Sequence, residues 1–332
     1  MTGRLSTPEL INLHPAAADM RRLVLEGLSR SPKQLPAWFL YDAEGSRLFE
    51  LICQQPEYSL TTTETALLER EAPAIAAALG PGTLVEFGAG SARKVSPLLA
   101  AMQAAALRPA YVALDISAEH LQAACGRLQQ RHPEVPMLGV CCDYSQLEQL
   151  PAHPLLSGTA HLGFFPGSSL GNFQPHEAQA LLAQFRRLLG PSGKLLIGID
   201  QPKPVERLEA AYDDAAGASA AFAFNLLQRL NRDLEGTFDP QAFRYQARWL
   251  AEASHIEMAL VSLRDQTVRV AGVVWNFAAG EPLLTETSAK YSPAAFLALA
   301  AAAGWRPQAR WSDPAEDLSL HLLVQADSPQ EL

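Results

Sequence analysis

The sequence predicts an α/β fold: a doubly wound, mostly parallel sheet carrying a second, smaller α+β domain as an insertion. Three observations lead there. From Thr61 onward short apolar runs alternate with amphipathic segments, the pattern of parallel strands joined by crossover helices. One such run, Leu84-Val85-Glu86-Phe87, ends in a double-glycine turn, Gly88-Ala89-Gly90, leading into a helix-like segment. Beyond Asp200 the texture changes to Ala-rich helical sequence and then alternating strands, before the earlier pattern resumes near Pro293.

Taken in order, Thr61-x-x-Glu64 reads as a capping box that opens a helix. Strands are expected near 83–87, 110–114, 136–141, 161–165 and 194–199, with helices between most of them. The 175–189 helix is the clearest: Pro175 sits in its first turn, Leu181, Leu182, Phe185, Leu188 and Leu189 share one face, and Gly190-Pro191 ends it. The inserted part should hold helical sequence over 211–230, broken near Gly217, and strands around 244–251, 255–263 and 267–277. A helix over 293–303 follows, then two runs, 306–311 and 318–324. In the second, Leu318, Leu320 and Leu322 alternate with Ser319 and His321, so the two are expected to close as an antiparallel pair. That ending suits a class I, Rossmann-like methyltransferase and not the usual dehydrogenase domain.

Composition narrows the partners. With 26 Lys+Arg against 35 Asp+Glu in 332 residues the net charge is −9, and no basic run could track a phosphate backbone, which argues against nucleic acid. A small molecule is the default partner. The first 30 residues lack a secretory apolar core, and the longest apolar run, 294–303, is far short of a membrane span. No membrane partner is expected, and the cytoplasm is the expected compartment. Cys53, Cys125, Cys141 and Cys142 show no C-x-x-C spacing and read as reduced thiols; the eight histidines show no metal spacing, so no metal is expected. Oligomeric state is not legible, with a monomer favoured.

The glycine turn reads as a nucleotide cradle, since Gly88 and Gly90 allow close backbone approach and the start of a helix offers N–H groups. A dinucleotide fingerprint needs a third small residue where Arg93 stands. Glu86 before the turn, Asp115 at the end of the next run and Asp143-Tyr144 after the third place carboxylates at three successive strand ends, on the side where doubly wound sheets bind ligands. These suit the sulfonium, amino group and ribose of S-adenosylmethionine, with Asp115 on the ribose and Asp143 and Tyr144 against the adenine. The bland alternative is that they cap helices. Gly167-Ser168-Ser169-Leu170-Gly171 matches a G-x-S-x-G nucleophile elbow, which would make Ser169 a hydrolase nucleophile. Against it, the next helix starts several residues too late, and the stretch reads better as a ligand-lining loop ending at Asn172.

Several further segments complete a pattern: Phe39-Leu40-Tyr41-Asp42 with Gly45-Ser46-x-Leu48-Phe49, Pro56-Glu57-Tyr58 followed by Thr63-Glu64, Ala211-Tyr212-Asp213-Asp214-Ala215-Ala216-Gly217, Ile256-Glu257-Met258 and Leu284-Thr285-Glu286-Thr287-Ser288. Together with Val85-Glu86-Phe87-Gly88-Ala89-Gly90 and the 167–172 loop, they resemble the histidine-specific Nα-methyltransferases of ergothioneine biosynthesis over nearly the whole chain. The resemblance implies a methyltransferase domain over 62–200 and 291–329, and a substrate-binding domain over 1–61 and 201–290. It implies S-adenosylmethionine as methyl donor and L-histidine as acceptor, trimethylated to hercynine.

Residue by residue, the resemblance implies donor contacts at Tyr41, Gly88, Lys94, Asp115, Asp143 and Tyr144, beside Glu86 and Gly90 of the turn. Tyr144 stands where some relatives carry phenylalanine, a change that preserves stacking. Tyr58, Asn172 and Tyr212 match positions holding the amino acid's α-amino and α-carboxylate groups, with Tyr58 and Asn172 as the catalytic pair. Glu286 and Ser288 match those binding the imidazole, and Met258 matches a pocket wall. Ser59-Leu60-Thr61 departs from the Tyr-Pro-Thr frequent in relatives. Alternatives from other classes are a methyltransferase of another amino acid such as tryptophan or tyrosine, a sensor that binds both ligands without turnover, and the serine hydrolase.

Overall fold

The computed structural model describes residues 8–13 and 17–326. Its elements run β1 (Glu9–Asn12), α1 (Ala17–Leu28), β2 (Lys33–Gln34), α2 (Ala43–Ile52), α3 (Leu60–Leu79), β3 (Thr83–Phe87), α4 (Ser96–Ala104), β4 (Ala110–Asp115), α5 (Ala118–Arg131), β5 (Met137–Cys141), β6 (His161–Phe165), α6 (Pro175–Leu189) and β7 (Lys194–Asp200). After these come α7 (Val205–Tyr212), α8 (Ala218–Asp233), β8 (Phe243–Leu250), β9 (His255–Ser262), β10 (Gln266–Val270), β11 (Val273–Phe277), β12 (Pro282–Ala289), α9 (Pro293–Ala302), β13 (Trp305–Ser312) and β14 (Leu318–Gln325). The described chain falls into two compact units, one of residues 8–13, Leu60–Pro202 and 290–326, the other of residues 17–59 and Lys203–Ala289.

The first unit is built on an eight-stranded sheet in the order β1-β5-β4-β3-β6-β7-β14-β13. Strands β1 and β3 to β7 run parallel, while β14 and β13 close the edge antiparallel. Every residue of β3 and β5 is buried, as a parallel strand covered on both faces must be. The core is aliphatic with an aromatic centre: Val85, Val112, Leu138 and Ile197 pack with α6, where Phe185 stacks on Phe87 at 4.0 Å. Because β4 and β5 lie on one side of β3 and β6 and β7 on the other, the chain reverses direction at β3. The crevice of such a sheet opens there, beyond the carboxyl ends of the strands. Residues 9–12, expected with the substrate-binding domain, belong to this unit because β1 extends the sheet beside β5. Four residues of mixed polarity are too short to show strand periodicity.

The second unit carries a four-stranded sheet, β2-β12-β9-β8, and a separate hairpin, β10-β11. The expected 267–277 strand is that hairpin: Ala271 and Gly272, both with positive φ, form its two-residue turn. Strand β12, which was not among the strands expected from the sequence, sits inside the four-stranded sheet between β2 and β9. Its register against β9 slips between Leu284 and Glu286, so Thr285 is an extra, bulged residue; its Oγ1 donates to the Met258 carbonyl at 3.1 Å. The break at Gly217 is real, with φ +73 at the residue that separates α7 from α8.

One helix start differs from expectation. Helix α3 begins at Leu60, and Glu64 reaches inward instead of closing a capping box with Thr61: its side chain is fully buried, paired with Lys94 at 2.6 Å. The Lys94 ammonium and the Gly167 N–H draw its carboxylate inward, a tertiary pairing that outweighs the local cap.

Candidate active site

At the strand ends of the first unit, the sequence's central turn is built largely of backbone. Gly88 and Gly90 both adopt positive φ, +70 and +51, where a side chain is strained. A Cβ on Gly88 would also lie 3.5 Å from the Tyr144 ring and hydroxyl. The N–H groups of Gly88 and Ala89 donate to the Leu114 carbonyl at 2.9 and 3.0 Å, which ties the turn to the end of β4. The helix expected directly after the glycines starts only at Ser96, with Ala92 in the left-handed region on the way. Asp115 does the organising instead: its Oδ2 accepts the Gly90 N–H at 2.8 Å and its Oδ1 the Ser117 N–H at 3.1 Å.

Asp143 is fixed in the same manner, its Oδ1 accepting from the N–H and the hydroxyl of Ser145 at 2.9 and 2.6 Å. Beside it the Tyr144 ring lies edge-on to Phe87 and Phe165, at centroid distances of 6.1 and 5.9 Å, and burial pushes its phenol up. Glu86 departs from expectation. It is buried within β3 and accepts a hydrogen bond from the Tyr111 hydroxyl, and burial raises its carboxyl to about 8 despite that bond and the nearby Lys94 charge. Near neutral pH it is mostly protonated, a buried support between β3 and β4 where the sequence suggested a carboxylate facing the donor.

Lys94 pairs with Glu64, as described, and Glu64 also accepts the Gly167 N–H, at 2.8 and 3.0 Å from its two oxygens. Gly167 opens the loop that ends in a short 3-10 turn over Ser169–Asn172. The serine-hydrolase alternative fails on this loop. The strained residue is Ser168, φ +54, whose Oγ accepts the Asp200 N–H at 2.9 Å; the Ser169 hydroxyl donates to the Pro166 carbonyl at 3.2 Å, and α6 starts only at Pro175. Neither serine of this loop stands at a strand-to-helix elbow. Among the described residues no group of three or more His, Cys, Asp or Glu is arranged to hold a metal ion.

In the second unit a different set converges. The Tyr212 hydroxyl, at the end of α7, lies 2.8 Å from the Ser288 hydroxyl on β12, and the Tyr245 hydroxyl of β8 donates to the Tyr212 carbonyl at 2.7 Å. Tyr58 packs edge-on against Tyr212 with ring centroids 5.7 Å apart. Burial pushes the Tyr58 phenol far above its ordinary value, with Tyr212, Cys53, Tyr41 and Glu286 adding in the same direction. Glu286 is half-buried and opposite Met258 in the β12–β9 register; Met258 is buried with Leu208 and Ile256. Glu286 also pushes up the Tyr245 phenol, after burial. Tyr41, foreseen as a donor contact, belongs to this unit, its ring edge-on to Phe49 and Phe222 at 5.5 and 5.1 Å. The next residue, Asp42, caps α2 through the Gly45 N–H and accepts from Asn225 and Arg232. Asn172 is the one expected acceptor residue in the first unit.

The sequence reading missed Glu64, Asp42, Tyr111 and Tyr245. Glu64 and Asp42 lay inside the quoted segments, but both stand among polar residues, so nothing in their surroundings set them apart from ordinary helix caps. The two tyrosines act through hydroxyls on strands, where spacing says nothing about partners.

Comparison with known proteins adds identity to this geometry. A family model described as "Histidine-specific methyltransferase, SAM-dependent" matches residues 20–325. A histidine N-alpha-methyltransferase of Mycolicibacterium smegmatis is 39% identical over 327 residues, covering 96% of this chain and 99% of that protein. One of Mycobacterium tuberculosis is 37% identical over 306 residues, covering 91% and 94%. "Ergothioneine biosynthesis protein 1" of Neurospora crassa is 28% identical over 310 residues, covering 89% of this chain and 33% of that longer protein.

Proposed function

Because the chain belongs to the family of histidine-specific, S-adenosylmethionine-dependent methyltransferases, we propose that it methylates the α-amino nitrogen of L-histidine three times, giving hercynine for ergothioneine biosynthesis. The observation that carries the assignment of roles is the meeting of Tyr58, Tyr212, Ser288, Glu286 and Met258 in one cluster of the second unit, from segments that lie far apart in sequence.

Gly88, Gly90, Lys94, Asp115, Asp143 and Tyr144 of the first unit, with Tyr41, hold S-adenosylmethionine. The cradle fits it: two positive-φ glycines leave the space beside Tyr144 open, and Asp115 and Asp143 present carboxylates at neighbouring strand ends. When bound, S-adenosylmethionine supplies an electrophilic methyl group on a sulfonium. The protein's task is then alignment of a neutral amine, worth far more here than acid–base chemistry. Tyr58 and Asn172 orient the α-amino group, and Tyr212 shares the α-carboxylate. With its phenol held protonated, Tyr58 acts as a hydrogen-bond partner and not as a base. The amine's proton leaves to water or to Asp143, whose Oδ1 is held by Ser145 while Oδ2 takes no donor from it. Glu286 accepts an imidazole N–H and Ser288 takes the other ring nitrogen, so an amino acid lacking those atoms forgoes both hydrogen bonds.

The same reading takes the cytoplasm as the compartment, in keeping with cysteines that form no disulfide among the described residues, three of them buried with thiols that burial pushes up. No helix among the described residues is long and apolar enough to cross a membrane.

Incubating the purified chain with S-adenosylmethionine and each amino acid in turn, with mass spectrometry of the products, tests the function. Histidine gaining three methyl groups is the expected outcome. Methylation of tryptophan or tyrosine in preference to histidine, or no transfer to histidine, would overturn it.

A further inference from the structure

Glu64 is the least exposed acid of the first unit, with no accessible side-chain surface, yet it lies at neither proposed ligand contact. Its Oε2 takes the Lys94 ammonium at 2.6 Å, and both of its oxygens take the Gly167 N–H. The fit is tight on every side. A Cβ on Gly198 of β7 would stand 1.9 Å from Oε1, and one on Gly167, φ +81, would stand 3.4 Å from the Lys94 Nζ. A buried carboxylate is costly unless charge and hydrogen bonds answer it, and here two donors from two different loops do so. Those loops are the one after β3, which carries Gly88, Gly90 and Lys94, and the one after β6, which ends in Asn172.

We propose that Glu64 is a positioning residue, a clasp that fixes the Lys94 ammonium for the methyl donor and the 167–172 loop for the acceptor's α-amino group at one carboxylate. The proposal rests on the assignment of Lys94 and Asn172 to the two ligands. With Glu64 in place, the donor-side cation and the acceptor-side amide are set by a single buried group anchored on α3, and neither loop can shift without loosening the other.

Glutamine at this position removes the charge that answers the Lys94 ammonium and, whichever way the amide turns, sets an NH2 where one oxygen now faces the Gly167 N–H, so the hold on both loops weakens. Calorimetric titration with S-adenosylmethionine and with L-histidine, steady-state kinetics and thermal melting should be measured for Glu64→Gln, Lys94→Ala, Asn172→Ala and the Glu64→Gln/Lys94→Ala pair. Glu64→Gln is expected to weaken donor binding about tenfold and histidine binding several-fold, with a fall in kcat. In the Lys94→Ala background the single amide oxygen is free for Gly167, so adding Glu64→Gln should cost neither affinity anything further. A Glu64→Gln protein that changes only in melting temperature, or strictly additive losses in the pair, would overturn the clasp while leaving the ligand assignment intact. Lys94→Ala with unchanged donor affinity, or Asn172→Ala with unchanged histidine affinity, would show that the assignment itself fails, and the proposal with it. If Glu64→Gln does not fold, Glu64→Asp, which keeps the charge and shortens the reach, is judged by the same affinities.

Discussion

Around Gly88 the first unit offers backbone N–H groups, positive-φ glycines and short carboxylates locked into turns; around Glu286 the second unit offers the tips of long side chains held by one another. In the first, geometry comes from where strands end. In the second, it comes from which residues meet: two phenols, a hydroxyl, a carboxylate and a thioether carried on α7, β9, β12 and the segment before α3. A ligand common to many enzymes can be held by features that any doubly wound sheet provides. An amino acid chosen from twenty needs side chains arranged for it alone.

The contrast can be broken most forcefully at Asp115. Asp115→Ala removes a carboxylate that holds the Gly90 and Ser117 N–H groups, two charge-assisted bonds of about 1.5–3 kcal/mol each. Donor affinity should fall by more than about 100-fold, while histidine binding changes little. Titration of both ligands checks this, and equal losses would mean that the two functions are not separable by unit. Glu286→Ala is the reciprocal experiment. Loss of the imidazole partner should cost about 1–3 kcal/mol, roughly 5- to 150-fold in histidine affinity, with donor affinity retained.

The smallest effect on either ligand is expected from Glu86→Gln, less than about threefold at pH 6, because Glu86 supports the sheet from within. Its signature is in stability. The Glu86 carboxyl ionises near 4.5 in the unfolded chain and near 8 in the fold, so between those values the native state holds a proton that the unfolded state has released. The native protein therefore loses stability as pH rises from 4.5 to about 8, and the glutamine variant does not. Melting curves taken across that range should diverge on the alkaline side; parallel curves would contradict the buried, protonated state.

This contrast also explains what could be read from the chain alone. The five inner strands and the 175–189 helix were legible because buried parallel strands are continuous apolar runs and α6 has one apolar face closed by Gly190. Gly88, Asp115 and Asp143 were legible because turn chemistry at a strand end is local. Spacing could not show that Tyr212 meets Ser288, since a hydroxyl pair separated by 76 residues leaves no trace in periodicity; only resemblance brought those residues forward. Glu64 and Glu86 misled for one reason. An acid in sequence suggests a solvent-facing or ligand-facing charge, and burial with a partner is decided by tertiary packing.

The bulge in β12 makes the acceptor cluster a matter of reading frame. Thr285 is the unpaired residue, and its hydroxyl satisfies the carbonyl of Met258. Were the bulge smoothed out with the sequence kept, Thr285 would stand opposite Met258 and Glu286 opposite Glu257, and in a sheet one step exchanges the two faces. Glu286, Thr287 and Ser288 would keep their identities and trade their outlooks. Anyone redirecting this scaffold to another amino acid would have to transplant the phase of β12, bulge included, along with its letters.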